Sequence, residues 1–126
     1  MKLINAKLDF ELSKSQAFID KKYYCPHHPD TGFEGEVLEL KIKCTCRKPE
    51  IGLIRNACKD YNIDLANSWM IGDQTSDIEM GKRAGLYTIG VETGFGLKDS
   101  KYYASPDYTV KDLTQASLII ENSTLL

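Results

Sequence analysis

The sequence predicts an α/β fold: part of a doubly wound, Rossmann-like parallel sheet with helices on both faces and a zinc-bound loop. Short apolar runs at 69–71, 87–91 and 108–110 alternate with segments of helical periodicity. That alternation builds a parallel sheet covered by helices, with any active site at the carboxyl ends of the strands. Upstream, Cys25-Pro26-His27 and Cys44-Thr45-Cys46 stand at the two ends of one loop, with Arg47-Lys48-Pro49 directly behind. Thiolate and imidazole are the ligands Zn²⁺ favours, and four protein ligands without a vacancy read as a structural site. The Cys-x-His and Cys-x-Cys gaps are tighter than the common two-residue knuckle, so ligand type and pairing carry the reading. The alternative is cysteine as a small core hydrophobe. Against it, the loop has too little apolar content to order itself without a metal.

A chain of 126 residues is one domain's worth, and its net charge of −2 gives no basic footprint for a nucleic acid. No apolar stretch approaches a membrane span, and Met1-Lys2-Leu3-Ile4-Asn5 lacks the pattern of a signal peptide, so a cytoplasmic protein is expected. In a reducing compartment metal ligation suits three of the four cysteines better than disulfides. Cys58, on a predicted helix, is expected in the core.

The elements follow in order. Ile4, Leu8 and Leu12 recur at helical spacing, predicting an amphipathic helix over 3–16. Phe18-Ile19 and Tyr23-Tyr24 suggest a short strand running into Cys25. Pro29-Asp30, Gly32 and Gly35 are turn signals, and 37–42 alternates like a hairpin strand. Pro49 suits a first helical position, which puts Lys48 at a helix N-terminus; Ile51, Ile54, Cys58 and Tyr61 then mark one face of a helix ending near Asn62. The run Trp69-Met70-Ile71 stops at Gly72-Asp73, and Ser76 with Glu79 reads as a capping box for the next helix, closed by Ala84-Gly85. The strand Tyr87–Val91 leads to the glycine-rich Thr93-Gly94-Phe95-Gly96. A third strand, Tyr108-Thr109-Val110, precedes a helix bearing Leu113, Ala116 and Ile120.

Asp73 falls at the end of a buried strand and Asp77 on the first turn of the next helix, so both carboxylates can face one crevice. Such a pair suits Mg²⁺, which takes hard oxygen ligands and keeps waters or phosphate oxygens in its shell. Alone, the pair equally fits the preference of acids for helix N-termini. Lys48 and the cysteine loop upstream favour the functional reading.

The segments Tyr23-Tyr24-Cys25-Pro26-His27-His28-Pro29-Asp30, Cys44-Thr45-Cys46-Arg47-Lys48-Pro49 and Met70-Ile71-Gly72-Asp73-Gln74-Thr75-Ser76-Asp77-Ile78 together resemble the zinc-containing phosphatases of the haloacid dehalogenase superfamily. The branch is that of the D-glycero-D-manno-heptose 1,7-bisphosphate 7-phosphatases, with histidinol-phosphate phosphatases as relatives, and the likeness runs from about residue 20 onward. It implies zinc on Cys25, His27, Cys44 and Cys46, with a zinc loop over 25–46. It implies Arg47 and Lys48 on the substrate and its phosphate, Asp73 on Mg²⁺ and Asp77 as its acidic support. Gln74 stands where many of these enzymes have a lysine that touches substrate. The implied ligand is a phosphorylated sugar.

In that superfamily the nucleophile is the first aspartate of an Asp-x-Asp-Gly-Thr motif, and no Asp-x-Asp occurs in these residues. The expectation is a single partial domain over 1–126, lacking the first two strands of the family fold. The strand at Tyr23-Tyr24 would be separated by a gap from that at Trp69-Met70-Ile71, and the chain would be inactive alone. It would pair with a chain carrying the Asp-x-Asp half, or with itself. A second expectation, from a different class, is a non-catalytic zinc-stabilised module that binds a phosphate ligand or regulates.

Overall fold

The computed structural model describes residues 2–25 and 47–124. The predicted strand at 37–42, and His27, Cys44 and Cys46, lie outside the described residues. The chain order is α1 (Lys2–Ser13), α2 (Gly52–Asp60), a 3₁₀ turn (Leu65–Asn67), β1 (Trp69–Gly72), α3 (Thr75–Ala84), β2 (Tyr87–Val91), β3 (Tyr108–Val110) and α4 (Leu113–Thr124).

Among the described residues three parallel strands form one sheet in the order β1-β2-β3. The register sets Trp69 beside Tyr87 and Gly72 beside Gly90, then Ile89 beside Tyr108. Alternation along a strand sends successive side chains to opposite faces. On one face Ile89 and Val91 pack with Ala116 of α4, with Trp69, Ile71, Val110, Ile119 and Ile120 around them. Trp69 also stacks on Tyr87, centroids 4.8 Å apart, at the amino ends of the strands. On the other face α3 crosses Met70 and Thr88, both within contact range of Gly81. Helices therefore cover both faces, as the run of apolar strands predicts. Ile78 and Ile89 are fully buried, and burial of each contributes about 1.5–3 kcal/mol. Buried Thr88 is satisfied by Asp107, whose carboxylate accepts the Thr88 N–H at 2.8 Å.

Several boundaries differ from the prediction. Tyr23-Tyr24 and Phe18-Ile19 form no strand: among the described residues nothing pairs with their backbone, and a strand exists only through its ladder. Instead the segment is held by side chains at the carboxyl end of α2. Lys21 Nζ and the Tyr23 hydroxyl both donate to Asp60 Oδ2, at 2.5 and 2.6 Å. Pro49 is buried in a turn closed by Glu50 N–H on the Arg47 carbonyl at 2.8 Å, and α2 starts three residues later, at Gly52. Lys48 therefore belongs to the turn that feeds the helix. Cys58 is a half-buried free thiol beside Ile51 and Ile54, where a core position was expected. In α1 the expected apolar face is open, with Ile4 71% exposed.

The capping box at α3 sits two residues earlier than the Ser76 and Glu79 pattern suggests. Gln74 is the cap and Asp77 the third helical residue, because its carboxylate reaches the Gln74 N–H at 3.2 Å. Gly85 ends α3 in the left-handed conformation, φ 81°, with Leu86 N–H returning to the Gly81 carbonyl at 2.9 Å.

Candidate functional site

The site lies at the carboxyl end of β1. Asp73 follows the strand directly, and the loop after β2 closes over it. Phe95 N–H donates to Asp73 Oδ2 at 2.9 Å, and Leu97 N–H donates to the Asp73 carbonyl at 2.7 Å. This closeness requires Gly94: its φ is 65°, and a Cβ there would stand 2.2 Å from Asp73 Oδ2. Asp77 is almost fully buried, and its carboxylate folds back towards the strand end. It can do so because Gly72 has no side chain, since a Cβ there would lie 2.3 Å from that of Asp77. One Asp77 oxygen caps α3; the other accepts Lys48 Nζ at 2.5 Å.

Arg47, Lys48, Gln74, Ser76 and Lys101 line one cleft of about 480 Å³, with Tyr23, Tyr24 and Cys25 along its side. Asp99 also reaches the cleft, but its carboxylate is taken up by Thr75. Thr75 N–H donates to Asp99 Oδ1 at 3.0 Å and the Thr75 hydroxyl donates to Oδ2. The Thr75 hydroxyl, then the Thr75 N–H, hold the Asp99 carboxyl below its usual range, against an opposing push from burial. Thr75 Oγ1 accepts Tyr102 N–H at 3.2 Å, which pins the far side of the same loop.

The structure thus brings together Arg47, Lys48 and Gln74 in the cleft, with Asp73 and Asp77 at the adjoining strand end. Lys48 meets Asp77, not Asp73. Of the four zinc candidates only Cys25 is among the described residues, where it is disulfide-bonded, against the expectation of metal ligation, and no group of three or more His, Cys, Asp or Glu gathers there as a metal set. Sequence reasoning missed Thr75, Asp99 and Lys101. Their signal was faint, since the aspartate that receives Thr75 lies on a loop more than twenty residues away.

A family profile described as HAD-hydrolase-like matches residues 45–116, more than half of the chain. The chain belongs to the HAD-hydrolase-like family. The match covers β1, α3, β2 and β3, so the elements that present Asp73, Asp77 and the loop over them are the family's own. A D-glycero-D-manno-heptose-1,7-bisphosphate 7-phosphatase from Thermosynechococcus vestitus is 40% identical over 106 residues, 79% of this chain and 53% of that protein. A D-glycero-beta-D-manno-heptose-1,7-bisphosphate 7-phosphatase from Haemophilus ducreyi is 42% identical over 89 residues, 69% of this chain and 46% of that protein. Among solved structures, D,D-heptose 1.7-bisphosphate phosphatase from B. bronchiseptica, complexed with magnesium and phosphate, superposes with a TM-score of 0.72 at 27% identity. That match covers 95% of this chain and 63% of the other. This HAD-hydrolase-like chain spans about half the length of the relatives it matches.

Proposed function

We propose that these residues form the cation and phosphate half of a heptose 1,7-bisphosphate 7-phosphatase, a cytoplasmic hydrolase of a phosphorylated sugar. One observation carries the reading: Arg47 and Lys48 line the cleft while Lys48 is joined to Asp77 at 2.5 Å, beside the strand-end Asp73. Arg47 and Lys48 neutralise the oxygens of a phosphoryl group, the main demand that phosphoryl transfer makes on its site. Asp77 sets the position of Lys48.

Asp73 fits Mg²⁺ by donor chemistry. Oδ2 is committed to Phe95 N–H, and Oδ1 accepts no hydrogen bond among the described residues. One carboxylate is a reasonable protein share for an ion that completes its shell with water and phosphate. Bound there, Mg²⁺ would supply positive charge to the phosphoryl oxygens. Likeness to a phosphatase complexed with magnesium and phosphate supports this. Cys25, His27, Cys44 and Cys46 would hold a structural Zn²⁺, the donor set matching that metal's preference.

Covalent transfer also needs an oxygen nucleophile, and these residues contain no Asp-x-Asp. That observation favours a second reading, a phosphate-binding module without catalysis. Calorimetry with inorganic phosphate tests the shared part: binding that falls on Lys48→Gln supports both, and binding unchanged by it defeats both. Hydrolysis of heptose 1,7-bisphosphate then separates them. Turnover that appears only when a polypeptide carrying Asp-x-Asp-Gly-Thr is added supports the split enzyme, and no turnover with it leaves the binding module. Turnover by the chain alone at roughly 1–1000 s⁻¹ would place a nucleophile within these residues.

A further inference from the structure

Lys101 stands on the loop after β2, which is fixed at several points. Phe95 and Leu97 are tied to Asp73, and Asp99 and Tyr102 to Thr75. Lys101 sits between the last two anchors, so its backbone is held in place even though the residue is exposed. It lines the same cleft as Arg47 and Lys48 but arrives from a different element.

The charges in that cleft are not equivalent. Lys48 is partly neutralised by Asp77, and Asp99 is occupied by Thr75. Lys101 makes no ion pair among the described residues. Gln74, which also lines the cleft, is neutral. The cleft of about 480 Å³ lies within the range of roughly 300–1,000 Å³ typical of sites for whole small molecules. It has room for a sugar and a second anionic group.

We propose that Lys101 is a specificity residue, contacting the second phosphoryl group of a doubly phosphorylated ligand whose first phosphoryl group rests on Arg47 and Lys48. This rests on the phosphate-binding reading of the cleft. Asp99 and Thr75 are positioning residues that hold the loop so that the ammonium group reaches the mouth of the cleft.

The test is calorimetric titration of the whole chain, without added Mg²⁺, against inorganic phosphate and against heptose 1,7-bisphosphate. Lys101→Gln is expected to weaken the bisphosphate about tenfold, the scale of one lost charge-assisted contact, and to leave inorganic phosphate within about twofold. Lys101→Arg should restore most of the difference, at an unchanged melting temperature. Asp99→Asn should narrow the same bisphosphate-to-phosphate ratio. Equal loss for both ligands in Lys101→Gln, or no loss for either, overturns the proposal. Lys48→Gln separates the two levels. If it weakens both ligands while Lys101→Gln weakens neither, the cleft binds phosphate and the role of Lys101 is wrong. If it weakens neither, the parent reading fails as well.

Discussion

Lys48 Nζ donates to Asp77 Oδ1 at 2.5 Å and thereby ties the turn before α2 to the first turn of α3. The pair spans 29 residues of sequence and is unequal in exposure, with the Asp77 side chain 10% exposed and that of Lys48 40%. Asp77 also receives the Gln74 N–H, so one carboxylate both caps a helix and sets a cation. Asp77→Asn keeps the shape and loses the charge, and it should destabilise the chain by about 1–2 kcal/mol. Asp77→Ala loses the cap too and should cost about 1 kcal/mol more. Urea unfolding midpoints check both.

Gly94→Ala should injure the site more than the fold. The left-handed φ of 65° costs a residue with a Cβ about 1–2 kcal/mol, and that Cβ would overlap Asp73 Oδ2. The expected outcome is a displaced Phe95 amide and weaker Mg²⁺ binding, with the β1-β2-β3 sheet intact. Amide chemical shifts and a Mg²⁺ titration read the two effects separately.

Acid should loosen the loop after β2. The carboxyl of Asp99 is held below its ordinary value of 3.8 by the Thr75 hydroxyl and N–H. Its folded pKa is depressed, so its contribution is present above 3.8 and lost as pH falls through the lower, folded value. Thr75→Val removes the hydroxyl and should shift that acid loosening upward, towards 3.8. Amide exchange at position 75, whose backbone N–H donates to Asp99 with or without the hydroxyl, reports it between pH 2 and pH 5, roughly the span around an aspartate titration.

Alkali should release the segment before Cys25. Lys21 is raised by its hydrogen bond to Asp60, and Tyr23 is raised by burial and then by its bond to the same carboxylate. Both shifts act in one direction. The tie is fully present below the ordinary values of 10.5 and 10.0 and is lost as pH rises through the folded ones. Asp60→Asn should free the segment already at neutral pH, seen as increased proteolytic nicking between 17 and 25 with α2 unchanged.

The purified chain should carry one Zn²⁺, on Cys25, His27, Cys44 and Cys46. His27 is favoured over His28 because the Cys-x-His spacing of Cys25 and His27 matches the pattern of the resembling family. Elemental analysis of Cys44→Ser should show most of the zinc gone, and full retention would refute the ligand set.

Legibility in the sequence followed the range of the interactions. The strands Trp69–Gly72 and Tyr87–Val91 and the helix between them rest on local apolar periodicity and a glycine stop; all three are present, with the cap of the helix two residues before the expected one. Asp73 and Asp77 were placed by the same strand-turn-helix pattern. The start of α2 was misplaced because Pro49 serves a turn as readily as a first helical position, and the Arg47–Glu50 hydrogen bond decides for the turn. Tyr23-Tyr24 has a strand's composition, but pairing is a tertiary event, and Asp60 supplies a different attachment. Thr75 with Asp99 was invisible for a similar reason: no periodicity links a helix N-terminus to a loop beyond the next strand.

Phe95 donates its amide proton to Asp73 Oδ2, and Asp73 Oδ1 accepts no hydrogen bond among the described residues. The two oxygens share one delocalised charge, so a cation drawn to the second withdraws electron density from the first. The amide therefore works as a built-in gauge. Its proton resonance should move upfield as Mg²⁺ fills the site, before any substrate is present. Because Leu97 leans on the same residue through the Asp73 carbonyl, outside the carboxylate that shares the charge, its amide gives a comparison that follows loop position and responds less directly to the cation.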